Sequence, residues 1–94
     1  MPAADVDRET AVALSNVLRE RRKKLGLTQE QLADLAEMDA KYYQSLENGR
    51  NNSKPDSLAN PSLKILRKLA GAYGTTVPDL MWDVFERSED SPEP

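Results

Sequence analysis

The stretch from Thr28 to Gly49, TQEQLADLAEMDAKYYQSLENG, leaves this chain few folds to choose from. It reads as two short helices joined by a tight turn. Thr28 is an N-cap residue, and Gln31, three positions on, completes a capping box. Apolar Leu32, Ala33, Leu35 and Ala36 then recur at helical spacing and are expected to face inward. The pattern breaks at Glu37-Met38. Asp39 offers a second N-cap, and its charge suits the positive end of a helix dipole. A second helix follows from Ala40, with Tyr43 and Leu46 inward, and stops at Asn48-Gly49, a left-handed termination signal. Ala40, Lys41, Gln44 and Ser45 fall on its outer face. They are short or polar, as a surface inserted into a groove needs.

These residues together resemble the helix-turn-helix of the Cro/lambda-repressor-like (Xre) family. The match is carried by Thr28-Gln29, Leu32-Ala33, Ala36, Met38, the Asp39 cap, Leu46-Glu47 and Gly49, and with flanking helices it spans Leu14 to Trp82. The resemblance implies an all-α, compact five-helix domain with the helix-turn-helix at helices 2 and 3. One position departs from the family. Glycine is usual where this chain has Glu37, and a positive φ there costs a non-glycine residue roughly 1 kcal/mol.

Composition agrees with an all-α domain and removes other classes. The chain has 94 residues, enough for one domain with a modest core but not for a large enclosed active site. There is no cysteine for disulfides or thiolate metal sites, and no histidine, the commonest general base and metal ligand. Acid pairs such as Glu86 and Asp90 lie on solvated stretches. No metal, cofactor, small-molecule ligand or enzymatic activity is indicated. No apolar run approaches the roughly 20 residues of a membrane helix, and the start of the chain has no apolar signal region. The expected setting is cytoplasmic, on the nucleoid.

The formal net charge is −3, which by itself argues against nucleic acid. Its distribution reverses that argument: residues 19–54 are net positive, while residues 1–18 and 55–94 are net negative. Local potential at a contact surface matters more than the total. The competing reading of the run RERRKK is an ordinary solvated helix face.

Residues 1–6 are read as a flexible N-terminus and residues 7–87 as the domain. A first helix spans Asp7 to Lys24, with Leu14, Val17, Leu18 and then Leu25 inward and Gly26 as terminator. Arg22 sits where the resemblance implies an ion pair with Glu47, and its guanidinium is also placed near a phosphate; two unconnected surface charges are the alternative. Arg21 is expected to snorkel along the core edge. Residues 50–60 form an extended loop in which Arg50 and Lys54 are phosphate candidates; a solvated loop without contact is the competing reading. Asn60-Pro61-Ser62 opens a fourth helix, with Pro61 at an early helical position. Its core face is Leu63, Leu66, Leu69 and Ala70, with Ile65 and Tyr73 beside them. A fifth helix runs from about Pro78 to Arg87, and residues 88–94 are read as a disordered acidic tail.

The resemblance also implies how such a domain works. The second helix of the motif enters the major groove of double-stranded DNA, N-terminus first. Base contacts then fall to Ala40, Lys41, Gln44 and Ser45: Lys41 can donate to guanine, Gln44 can pair bidentately with adenine, and Ala40 offers a methyl. Phosphate contacts fall to Gln29, Arg22, Tyr42, Asn48, Arg50 and Lys54. Tyr43 is expected in the core with its hydroxyl reaching the surface.

The fifth helix carries Leu80, Met81, Trp82, Val84 and Phe85, more than one face can bury. Leu80 and Val84 can close the core. Met81, Trp82 and Phe85 then form a surplus apolar face, and the resemblance implies a homodimer there, reading two half-sites about 34 Å apart on a partly palindromic operator. Folding of Trp82 and Phe85 back onto the first helix is the alternative. The resulting expectation is a sequence-specific transcription regulator, acting as a repressor. An alternative from another class is an antitoxin-like protein-interaction module that binds a protein partner through the fifth helix and the acidic tail.

Overall fold

A computed structural model describes residues 8–49 and 59–89. Among them lie five helices and no strand: α1 (Arg8–Leu25), α2 (Gln29–Leu35), α3 (Ala40–Glu47), α4 (Leu63–Tyr73) and α5 (Val77–Glu89). The all-α, five-helix expectation holds. Residues 1–7, 50–58 and 90–94, with Arg50, Lys54 and most of the acidic tail, lie outside the described residues.

Local chemistry explains the starts and stops. The Thr28 hydroxyl accepts from the Gln31 N–H at 3.0 Å while the Gln31 side chain accepts from the Thr28 N–H at 2.9 Å, which completes the capping box. The Asp39 carboxylate accepts from the Tyr42 N–H at 3.1 Å and starts α3. Gly49, at φ +73°, ends it in the left-handed region. Its carbonyl accepts from the N–H of buried Ala59 at 3.0 Å, which closes the long connection to α4. Glu37, at φ +57°, is the one described non-glycine residue with positive φ. Its carbonyl accepts from the Lys68 ammonium at 3.2 Å, tying the turn of the motif to α4.

One core joins all five helices. Leu14, Val17 and Leu18 of α1 meet Leu32, Ala33 and Ala36 at α2, Tyr43 and Leu46 of α3, Leu69, Ala70 and Tyr73 of α4, and Leu80 and Val84 of α5. Full burial of one such leucine stabilises by about 1.5–3 kcal/mol. α1 is the central element and packs against α3, α4 and α5.

Several expected details are corrected. Leu25, Leu35 and Leu63 are exposed rather than inward, Leu35 at 58% and Leu63 at 66%. Leu25 and Leu35 are the last residues of their helices and Leu63 the first of its own, so each has core on one side only. Pro61 precedes the helix instead of opening it. Ser62 is the cap, and its hydroxyl accepts from the Ile65 N–H at 3.2 Å. α5 begins at Val77, with the Thr76 hydroxyl accepting from the Asp79 N–H at 3.2 Å. It runs on to Glu89, so Ser88 and Glu89 belong to the helix and not to the tail. The Tyr43 hydroxyl does not reach the surface. It is buried against the Tyr73 hydroxyl at 2.7 Å, so each phenol oxygen has a hydrogen-bond partner in the core.

The outer edge of the α1–α5 contact is ionic. Arg87 grips Glu20 with two nitrogens, at 2.6 and 3.0 Å, and lies 3.3 Å from Asp83, which is 3.6 Å from Arg21. The hydrogen bonds from Arg87 hold the Glu20 carboxyl below its ordinary range. Arg21 is half-buried at this edge, and its buried Nε has no hydrogen-bond partner among the described residues.

Candidate nucleic-acid interface

The geometry of the outward helix starts from a buried acid. Glu47, the last residue of α3, is 1% exposed. Its two oxygens accept from Arg22, Nε to Oε2 at 2.6 Å and Nη2 to Oε1 at 3.1 Å. Gln29 donates to Oε1 as well, at 2.8 Å. Burial opposes the charge on Glu47, but the hydrogen bonds from Arg22, Tyr43 and Gln29 outweigh it and keep its pKa below the ordinary carboxylate value. The same pair raises the pKa of Arg22, while burial raises those of Tyr43 and Tyr73. Arg22 also donates to the Leu27 carbonyl at 2.9 Å. Each of its three nitrogens thus makes a bond within the protein, and Arg22 ties α1 to the start of α2 and the end of α3.

From Glu47 the chain of hydrogen bonds runs outward. Gln29, held by Glu47, accepts from the Gln44 side-chain amide at 3.1 Å. Gln44 is exposed, so a side chain at the surface of α3 is fixed, through Gln29, to a buried ion pair. Lys41 is exposed one turn earlier on the same helix. Thr28, Gln29, Glu30, Ala40, Lys41 and Gln44 line an open hollow of about 400 Å³ where the starts of α2 and α3 meet.

The remaining expected residues differ in their freedom. Ala40 is half-buried and packs against the core, so only part of its methyl faces out. The Ser45 hydroxyl donates to the Tyr42 carbonyl at 2.6 Å, which leaves it an acceptor towards the outside. Tyr42 is half-buried, and burial raises its phenol pKa. Asn48 is exposed immediately after α3. Arg50 and Lys54 lie outside the described residues. On α5, Met81 is half-buried against the core, while Trp82 and Phe85 are 70% and 50% exposed.

Two partners were not evident from the sequence. The Gln29–Gln44 bond joins two glutamines on different helices, fifteen positions apart, and no local pattern announces it. Arg19 donates to the Glu47 carbonyl at 2.6 Å. Its spacing from Arg22, three residues on one helix, was the available signal.

Among the described residues, no group of three or more His, Cys, Asp or Glu could hold a metal ion, and no helix is long and apolar enough to cross a membrane. The helix-turn-helix family model matches residues 18–80. The HTH-type transcriptional regulator DdrOP3 of Deinococcus deserti is 41% identical over 64 residues, 68% of this chain; the chain spans 43% of that relative's length. Control protein C.MunI of a Mycoplasma species is 35% identical over 74 residues, 78% of this chain and 89% of that protein. With the capped α2–turn–α3 unit at the centre of the matched region, the chain belongs to the Xre-type helix-turn-helix family of DNA-binding transcription regulators.

Proposed function

We infer that the protein reads a specific double-stranded DNA sequence through α3 and acts as a repressor, as a homodimer on a partly palindromic operator. The observation that carries this is the fixed side chain of Gln44, held by Gln29 and ultimately by the Arg22–Glu47 pair. A reader of base edges gains specificity when its donor and acceptor are already oriented. Gln44 then takes adenine, Lys41 takes guanine, and Ala40 and Ser45 supply minor contacts. The main-chain N–H of Gln29, with Tyr42, Asn48, Arg50 and Lys54, supplies the backbone contacts. Arg22 is assigned to bracing. The names regulator and control protein carried by the two relatives support regulation of transcription, and the exposed Trp82 and Phe85 support pairing through α5.

The test is selection of binding sites from random duplexes, followed by titration at several salt concentrations. A consensus should emerge, with affinity falling as salt rises in proportion to the phosphates neutralised. Lys41→Ala and Gln44→Ala should each relax preference at particular positions by about 1–3 kcal/mol. Uniform weakening on every sequence would reduce both residues to backbone contacts. Failure of selected and random duplexes alike at low salt would leave the scaffold as a protein-binding module.

A further inference from the structure

We propose that Arg19 is a positioning residue that sets the pose of the recognition helix; the assignment rests on the reading of α3 as the DNA-contacting element. Arg19 and Arg22 stand three residues apart on α1 and both hold Glu47, but they hold different parts of it. Arg22 takes the carboxylate at 2.6 and 3.1 Å. Arg19 takes the main-chain carbonyl at 2.6 Å, and its other terminal nitrogen donates to the Asn16 side-chain oxygen at 2.9 Å.

The difference decides what each arginine controls. A glutamate side chain has three rotatable bonds, so its carboxylate can stay with Arg22 while the helix behind it rolls or slides. A carbonyl is part of the helix itself, and a bond to it fixes the axis. α3 is only eight residues long, roughly 12 Å, so a small roll at its last residue alters how Lys41 and Gln44 meet a base pair. The Glu47 carbonyl also sits at the negative end of the α3 dipole, where a guanidinium is favoured and its hydrogen bond is charge-assisted. Asn16 holds Arg19 in place from the same helix. Because two of its three nitrogens are committed within the protein, and because it grips the end of α3 opposite to the one that enters the groove, Arg19 acts on DNA through α3 and not through a phosphate.

The experiment compares the wild-type protein with Arg19→Met, Arg19→Lys and Asn16→Ala. Each is titrated with the selected duplex and with duplexes altered at one position read by Lys41 or Gln44, at several salt concentrations. Arg19→Met should lower the ratio of selected to altered affinity by about three- to ten-fold, the worth of one such hydrogen bond, and leave the salt slope unchanged. Arg19→Lys keeps a donor and should recover part of the ratio. An unchanged ratio, even with a lower melting temperature, overturns the proposal. So does uniform weakening with a shallower salt slope, which marks a phosphate contact. If Arg19→Met does not fold, Asn16→Ala reads the same effect in smaller degree, and an unchanged ratio there is equally fatal. A wild-type protein that prefers no duplex sinks the DNA reading instead. In that event hydrogen exchange decides on the grip itself: Arg19→Met should speed exchange at the Asn48 and Gly49 amides and not in α5, and equal protection in both proteins overturns it.

Discussion

Glu47 is a carboxylate with almost no water around it, and the protein keeps it charged by surrounding it with donors. Removing one member of such a buried pair leaves the other charge uncompensated, so Glu47→Ala should cost about 3–5 kcal/mol in chemical denaturation. Acid should have a related effect. The folded-state pKa of Glu47 lies below its ordinary value of 4.5, so its ionisation favours the native state. That contribution is complete above the unfolded value and is lost as pH falls through the folded one. Melting temperatures measured from neutral pH downward should therefore hold steady and then drop on the acid side of about 4.5. Glu47→Ala should flatten that drop without abolishing it, because Glu20 is also held below its ordinary range. A profile with the same slope in both proteins would show that Glu47 is not the group being titrated.

The helices were largely legible in the sequence because their ends are written in short-range chemistry. Thr28 with Gln31, Asp39, and Gly49 each act within a turn of their own position, and each does in space what its residue type suggests. What was not legible depends on distance. Leucine spacing shows which face is apolar but not whether a terminal residue such as Leu35 or Leu63 has anything to pack against. The bonds Gln44–Gln29 and Arg19–Glu47 carbonyl cross 15 and 28 positions, and the second ends on a backbone atom that every residue possesses. The motif and its Arg22–Glu47 pair were therefore plain, and the bonds that tie Gln44 and Arg19 into them were not. The turn between α2 and α3 offers a test at this scale. Glu37 occupies the left-handed region, where glycine is free of strain. Glu37→Gly should raise stability by up to about 1 kcal/mol, the strain relieved less the added freedom of the unfolded chain. A loss of stability on denaturant titration would mean that the Glu37 side chain contributes more than its backbone costs.

For the molecule as a whole, the question is what α5 does with its outward side. Leu80 and Val84 close the core, and Trp82 and Phe85 remain at the surface. If two copies meet there, Phe85→Asp should place a charge inside the contact and shift the solution mass, measured by sedimentation or light scattering, from dimer to monomer with helical content intact. A mass identical to the wild type's would remove this face as the site of pairing. Strength of association and strength of DNA binding should then fall together on a two-half-site duplex, since each copy anchors the other.

Trp82 has one more consequence. It is the sole indole in the chain, and most of it is open to water. Excited at wavelengths that Tyr42, Tyr43 and Tyr73 do not absorb, its emission is therefore a local signal and not an average over the fold. A shift of its emission to shorter wavelength on concentration would report the covering of that one ring, and the protein would record its own association without a dye.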